Sequence, residues 1–200
     1  MSSLVKRFNI FFLIFLNFII LTAIFWLYQK HNVGNDSTVS EWLINYQGGF
    51  TRRGIIGEIT FQLAKLFNLD LRYVIFLFQS FIYLVYLILV YFYIKNVPKN
   101  ILTVIALFSP LFLLYPLAEI EVLARKEIFL FIGFLIFLIL SDIKYSKKIS
   151  LCYIFFSFPL FILIWEPFIF FLSFALIIIL LKFKKESFKK ILLQISLSFS

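Results

Sequence analysis

From Phe8 to Tyr28 the chain runs 21 residues without a charge, and from Tyr73 to Ile94 it runs 22. A helix rises about 1.5 Å per residue, so each run can span the roughly 30 Å hydrocarbon core of a bilayer. In lipid every backbone N–H and C=O must be satisfied inside the protein, which makes the helix the expected form of such runs. Further candidate spans lie at 101–117, carrying Pro110 and Pro116, and at 118–141, with its charges in the first half. Two more follow at 151–165 and 168–181, parted only by Glu166 and Pro167. A last run, 191–200, has ten residues and is too short to cross as a helix, so an incomplete span of a longer chain is expected.

Composition agrees. The chain is 63% hydrophobic, holds 30 Phe, and has a mean hydropathy of +1.04. No soluble core of 200 residues hides that much apolar surface. The expected fold is all-α: a single polytopic transmembrane helix bundle over 1–200, with six to seven spans. The first run follows Lys6 and Arg7 as a signal peptide would, but it is long, lacks a small-residue cleavage site and ends in Trp26 and Tyr28, so it reads as a retained span. The single cysteine, Cys152, excludes an internal disulfide.

The net charge of +9 comes largely from lysines at the ends of apolar runs. Such residues are topology signals, so membrane lipids and not nucleic acid are the expected surroundings. With the N-terminus in the cytoplasm, 12 of the 19 basic residues fall in short cytoplasmic connections. Eight of the ten carboxylates and four of the five arginines fall on the opposite side. The same bookkeeping makes 151–181 a hairpin with lysine clusters at both feet. Its arms of about 15 residues reach only roughly 22 Å. Glu166 at the tip is therefore expected below the outer surface, facing a wet cavity or a cation.

The one long outer loop covers 29–72. Thr38 followed by Glu41 is a capping-box pattern and predicts a short helix to about Tyr46. After a turn at Gly48-Gly49, the residues Ile55, Ile56, Ile59, Leu63, Leu66 and Phe67 share one arc of a helix over 54–67, with Glu58 and Lys65 opposite. That predicts an amphipathic helix lying on the outer face.

The stretch "GGFTRRG" opens that helix. Gly48 and Gly49 permit backbones whose N–H groups converge, and Arg52 and Arg53 supply fork-shaped donors suited to phosphate oxygens. The bland alternative has the arginines snorkelling, binding ordinary anionic lipids, or pairing with Glu58. In "AEIEVLARKEI", Glu121 and Arg125 stand four apart, as a helix-surface ion pair would. These charges form either a solvated helix end or part of a cleft shared with the paired arginines. One His and one Cys argue against a transition-metal site, and no phosphate-binding loop, dinucleotide fingerprint or nucleophile elbow is present.

An early outer loop with acidic residues and an amphipathic helix, outer arginines and many spans together resemble polytopic enzymes of bacterial surface-polysaccharide assembly. The likeness is to GT-C type glycosyltransferases and O-antigen or exopolysaccharide polymerases. "GGFTRRGIIGE" resembles a segment of membrane proteins from bacterial polysaccharide clusters. The resemblance implies an inner-membrane enzyme acting on polyprenyl-diphosphate-linked sugars at the outer leaflet. Arg52, Arg53 and Arg125 would hold the diphosphate. Asp36, Glu41, Glu121 and Glu166 are the candidate carboxylates, one acting as base or helping to hold a divalent cation, Mg²⁺ or Mn²⁺. Two rivals use the same residues differently: a transporter or flippase of an anionic lipid or lipid-linked glycan, and a non-catalytic membrane assembly partner. An enzyme needs arginine and carboxylate in one cleft, whereas a transporter needs a polar path to the cytoplasmic side.

Overall fold

The structure is a computed structural model and describes residues 3–32, 37–51, 53–109, 113–123, 125–142 and 146–182. Asp36, Arg52, Pro110 and the run 191–200 lie outside these. All regular structure among the described residues is helical. Two long helices, α1 (Ser3–Asn32) and α4 (Leu71–Asn96), form the centre, joined through α2 (Ser37–Trp42) and α3 (Gly54–Phe67). Along α1 the buried residues Phe12, Leu16, Ile19, Ala23 and Leu27 recur every three or four positions and meet α4. The opposite stripe of Phe11, Ile14, Phe18, Leu21 and Phe25 is as apolar yet exposed. A water-soluble helix would be polar there, so this face is built for lipid.

Three helices are long and apolar enough to cross a membrane: Arg7–Asn32, Leu71–Asn96 and Lys147–Ile164, with Ile128–Ser141 a shorter apolar helix. The described residues are all-helical, as expected, but they hold three candidate spans and not six to seven, and two of the expected segments are broken. The run 101–117 is not one helix. Asn100 caps α5 (Ile101–Phe108), its side-chain oxygen accepting from the Thr103 N–H at 2.8 Å, and Ser109 is already extended. Helix then resumes as α6 (Tyr115–Ala118), with Pro116 in its first turn. The stretch 118–141 divides likewise into α7 (Ile120–Leu123) and α8 (Ile128–Ser141).

The hairpin is present. Helix α9 (Ser146–Ile164) stops at extended Trp165, a 3-10 turn covers Glu166–Ile169 with Pro167 near its start, and α10 (Phe170–Lys182) follows. Phe168 is wholly buried against Gly133 of α8, where an added Cβ would stand 2.8 Å from its ring. At the far end of α10, Lys182 Nζ donates to the Ser141 carbonyl at 3.0 Å and pairs with Asp142. Helix α10 therefore runs alongside α8 from its middle to its foot. At the same end as the start of α1, Lys99 Nζ donates to carbonyls of Ile94, Lys95 and Val97 and lies over the Phe8 ring. Arg53, Lys126, Trp165 and Glu166 meet at the opposite end.

The loop helices differ from expectation in two ways. Helix α2 ends at Trp42, and Thr38 lies inside it, not at its cap. Trp42 is the reason for the early stop: it is buried against Phe78 and Phe129, and the chain must turn there. On α3 the buried face is Gly54, Ile56, Gly57, Thr60 and Ala64, while Ile59, Leu66 and Phe67 of the expected apolar arc stay exposed. Small residues let α3 approach closely, leaving the large apolar ones outward, where lipid would meet them.

Candidate functional site

The site forms where α3 begins. A turn closes with the Gly49 N–H on the Tyr46 carbonyl at 3.0 Å, Gly49 taking φ +116°, which only glycine adopts without strain. Thr51 Oγ1 donates to the Asn45 carbonyl at 3.0 Å. Glu58 then ties this loop to α3, accepting from the Tyr46 N–H at 3.1 Å, Gln47 Nε2 at 2.8 Å and Gln62 Nε2 at 2.6 Å. Those hydrogen bonds, Gln62's first, hold the Glu58 carboxyl below its ordinary pKa. Gly57 lies directly on the Ile44 carbonyl and Gly54 under the Tyr46 ring.

This scaffold delivers Arg53 in the left-handed region, φ 63° and ψ 15°, an uncommon conformation for a residue with a Cβ. Three contacts hold it. Its carbonyl accepts from Lys126 Nζ at 2.9 Å. Its guanidinium lies 4.2 Å from the centre of the Trp165 ring, a cation–π geometry. Its Nη2 stands 3.6 Å from Glu166 Oε2. Arg53 and Glu166 also line one cavity of about 270 Å³, together with Tyr46, Phe50 and Thr51 of the loop and Ile162 and Leu163 of α9.

Lys126, which the sequence reading passed over, is completely buried. Burial pushes its ammonium down to about 8, with the Glu41 carboxylate opposing and the Arg53 cation adding to the shift. The signal for it was register: Lys126, Leu130, Gly133 and Phe137 fall on one buried line leading into α8. Because the folded pKa lies below the ordinary 10.5, folded chains release this proton first as pH rises. Between about pH 8 and 10.5 the unfolded chain binds more protons, so stability should increase across that window. Melting curves in detergent test this: Lys126→Met should flatten the rise, and an equal rise in both proteins would refute the assignment.

The other candidates are placed less centrally. Glu41 lies within electrostatic reach of Lys126, and its Oε2 is buried with no hydrogen-bond partner among the described residues. Glu121 is exposed on α7 and does not line the cavity. Arg125 pairs with Glu127 at 3.6 Å and not with Glu121, because α7 ends at Leu123 and breaks the four-residue register. Arg53 likewise takes Glu166 in place of Glu58. Gly48 and Gly49 stand in open space at the turn, with the Gly49 N–H already used. Among the described residues no three His, Cys, Asp or Glu side chains converge as metal ligands. Compared with family models, curated proteins and solved structures, the chain matches none.

Proposed function

We propose that this chain is a multi-pass enzyme of the bacterial inner membrane, N-terminus in the cytoplasm, that transfers sugar from a polyprenyl diphosphate at the outer leaflet. The observation that carries the reading is Arg53 and Glu166 lining one cavity with apolar Ile162 and Leu163 of a membrane helix beside them. A lipid-linked diphosphate has that mixed chemistry: anionic oxygens for a guanidinium, and a hydrocarbon chain for the wall. The free N–H groups at the start of α3 add positive potential next to Arg53. All the lining residues belong to one end of the bundle, which favours chemistry at one membrane face over passage across it.

In the reaction, the diphosphate takes over the Arg53 guanidinium and releases Glu166 from its ion pair. The Glu166 carboxylate accepts the proton of an acceptor hydroxyl. That oxygen bonds to the anomeric carbon as the bond from the same carbon to the diphosphate oxygen breaks. The diphosphate leaves with the electron pair, its charge met by Arg53.

Two variants separate the roles. Arg53→Met should weaken binding of a polyprenyl diphosphate at least tenfold, in line with loss of a charge-assisted bidentate contact. Glu166→Gln should bind it at least as well as wild type, while cell-surface glycan made per protein falls about 10²-fold or more. Normal glycan with Glu166→Gln would remove Glu166 as base. Unchanged binding with Arg53→Met would end the diphosphate reading altogether.

A further inference from the structure

Phe50 is the most exposed large apolar side chain among the described residues, at 81%. Yet its ring is firmly placed. It lies parallel to Tyr46, centroids 5.7 Å apart and planes 8° apart. Tyr46 is in turn fixed over Gly54 and through its N–H to Glu58. The Gly49 turn before Phe50 and the Thr51 hydrogen bond after it lock the backbone on both sides. The chain thus holds an aromatic face open to its surroundings at the rim of the Arg53 cavity.

A ring that dips into lipid belongs among other apolar groups, as Leu66, Phe67 and Leu69 do at the far end of α3. Phe50 instead stands between Gly48-Gly49 and Thr51, and the cavity it lines with Ile162 and Leu163 also holds Arg53 and Glu166. An exposed aromatic face bordered by hydroxyl, carboxylate and guanidinium fits a ligand that is apolar on one face and polar at its edge. A pyranose ring is such a ligand: its axial C–H bonds carry partial positive charge toward the negative π face, and its hydroxyls project sideways to polar partners. We infer that Phe50, backed by Tyr46, is the stacking platform for the sugar ring attached to the diphosphate that Arg53 binds. This rests on the proposed function and adds the sugar subsite to it.

The test compares binding of four probes to the full chain in nanodiscs. They are a polyprenyl diphosphate alone and the same lipid carrying glucose, galactose or N-acetylglucosamine. Wild type should prefer at least one sugar-bearing lipid over the bare one. Phe50→Ala should lose that preference, weakening the glycosylated lipid roughly two- to tenfold more than the bare one, and Phe50→Trp should keep it. Equal loss for bare and glycosylated lipid would overturn the platform, as would no loss at all or a wild type indifferent to all three sugars. In each of these cases Arg53→Met, still defective on the bare lipid, would leave the diphosphate reading standing. Failure of wild type to bind any of the four would overturn both.

Discussion

Gly57→Ala is expected to destabilise the protein by about 3 kcal/mol, at the upper part of the usual range for overpacking. A single methyl suffices because of what it would strike. The added Cβ would stand 1.8 Å from the Ile44 carbonyl oxygen, 2.5 Å from its carbon and 2.9 Å from the Trp42 carbonyl oxygen. All three are backbone atoms, which cannot rotate aside. Helix α3 would have to lift from the 42–44 segment, and with it would go the buried face of Thr60 and Ala64. Gly54→Ala meets the Tyr46 ring and the Thr51 hydroxyl, which are side-chain and not backbone atoms, so its cost should be smaller. Gly48→Ala points into open space and should melt close to wild type. Thermal denaturation of the three variants in detergent gives the order directly. A Gly57→Ala protein as stable as Gly48→Ala would mean that α3 does not seat on this loop.

Lys126→Met should separate the fold from the site. Methionine matches the length and apolar stem of lysine and removes a buried cation, which by itself relieves a desolvation penalty. Against that, the Arg53 carbonyl loses the donor that reaches it across 73 residues of chain, a cost of about 1–3 kcal/mol where such a group is buried. The two effects oppose, so net stability near neutral pH should change by less than about 2 kcal/mol. The larger effect is on Arg53. Without the ammonium, the hydrogen bond that ties its left-handed backbone to the turn before α8 is lost, and the guanidinium loses its set position over Trp165. Polyprenyl diphosphate binding should fall about tenfold, since a misplaced donor forfeits most of a charge-assisted hydrogen bond. Lys126→Ala, which also opens a cavity, should cost a further 2 kcal/mol or so. Wild-type binding by a well-folded Lys126→Met would show that the Tyr46–Thr51 loop positions Arg53 unaided.

The long helices were legible because charge-free length is a one-dimensional property. Phe8–Tyr28 and Tyr73–Ile94 lie inside α1 and α4, and the break at Glu166-Pro167 marks a hairpin that lysine placement also demanded. Hydropathy does not register where hydrogen bonding stops, so the division of 101–141 into short helices was not visible. The face of α3 was misjudged for a related reason. Apolar arc analysis weights large side chains, whereas close packing here selects Gly57, Thr60 and Ala64. In the site, Arg53 and Glu166 stood out as charges in apolar surroundings. Lys126 did not, because a lysine between Arg125 and Glu127 looks like part of a solvated cluster. Pairing partners were the least legible of all. Which carboxylate meets Arg53 depends on three-dimensional convergence, and Glu166 is far more distant in sequence than Glu58.

The hydrogen bond from Lys126 to Arg53 also bears on biogenesis. Ribosomes deliver the chain from its N-terminus, and early segments tend to settle first. The loop that carries Arg53 emerges well before Lys126, and Trp165 and Glu166 emerge later still. During synthesis, Arg53 therefore waits at the membrane surface without any of the three contacts that fix it. The Arg53 site is complete only after the α9–α10 hairpin is in place, so a nascent chain lacks the arrangement proposed here to bind a carrier lipid.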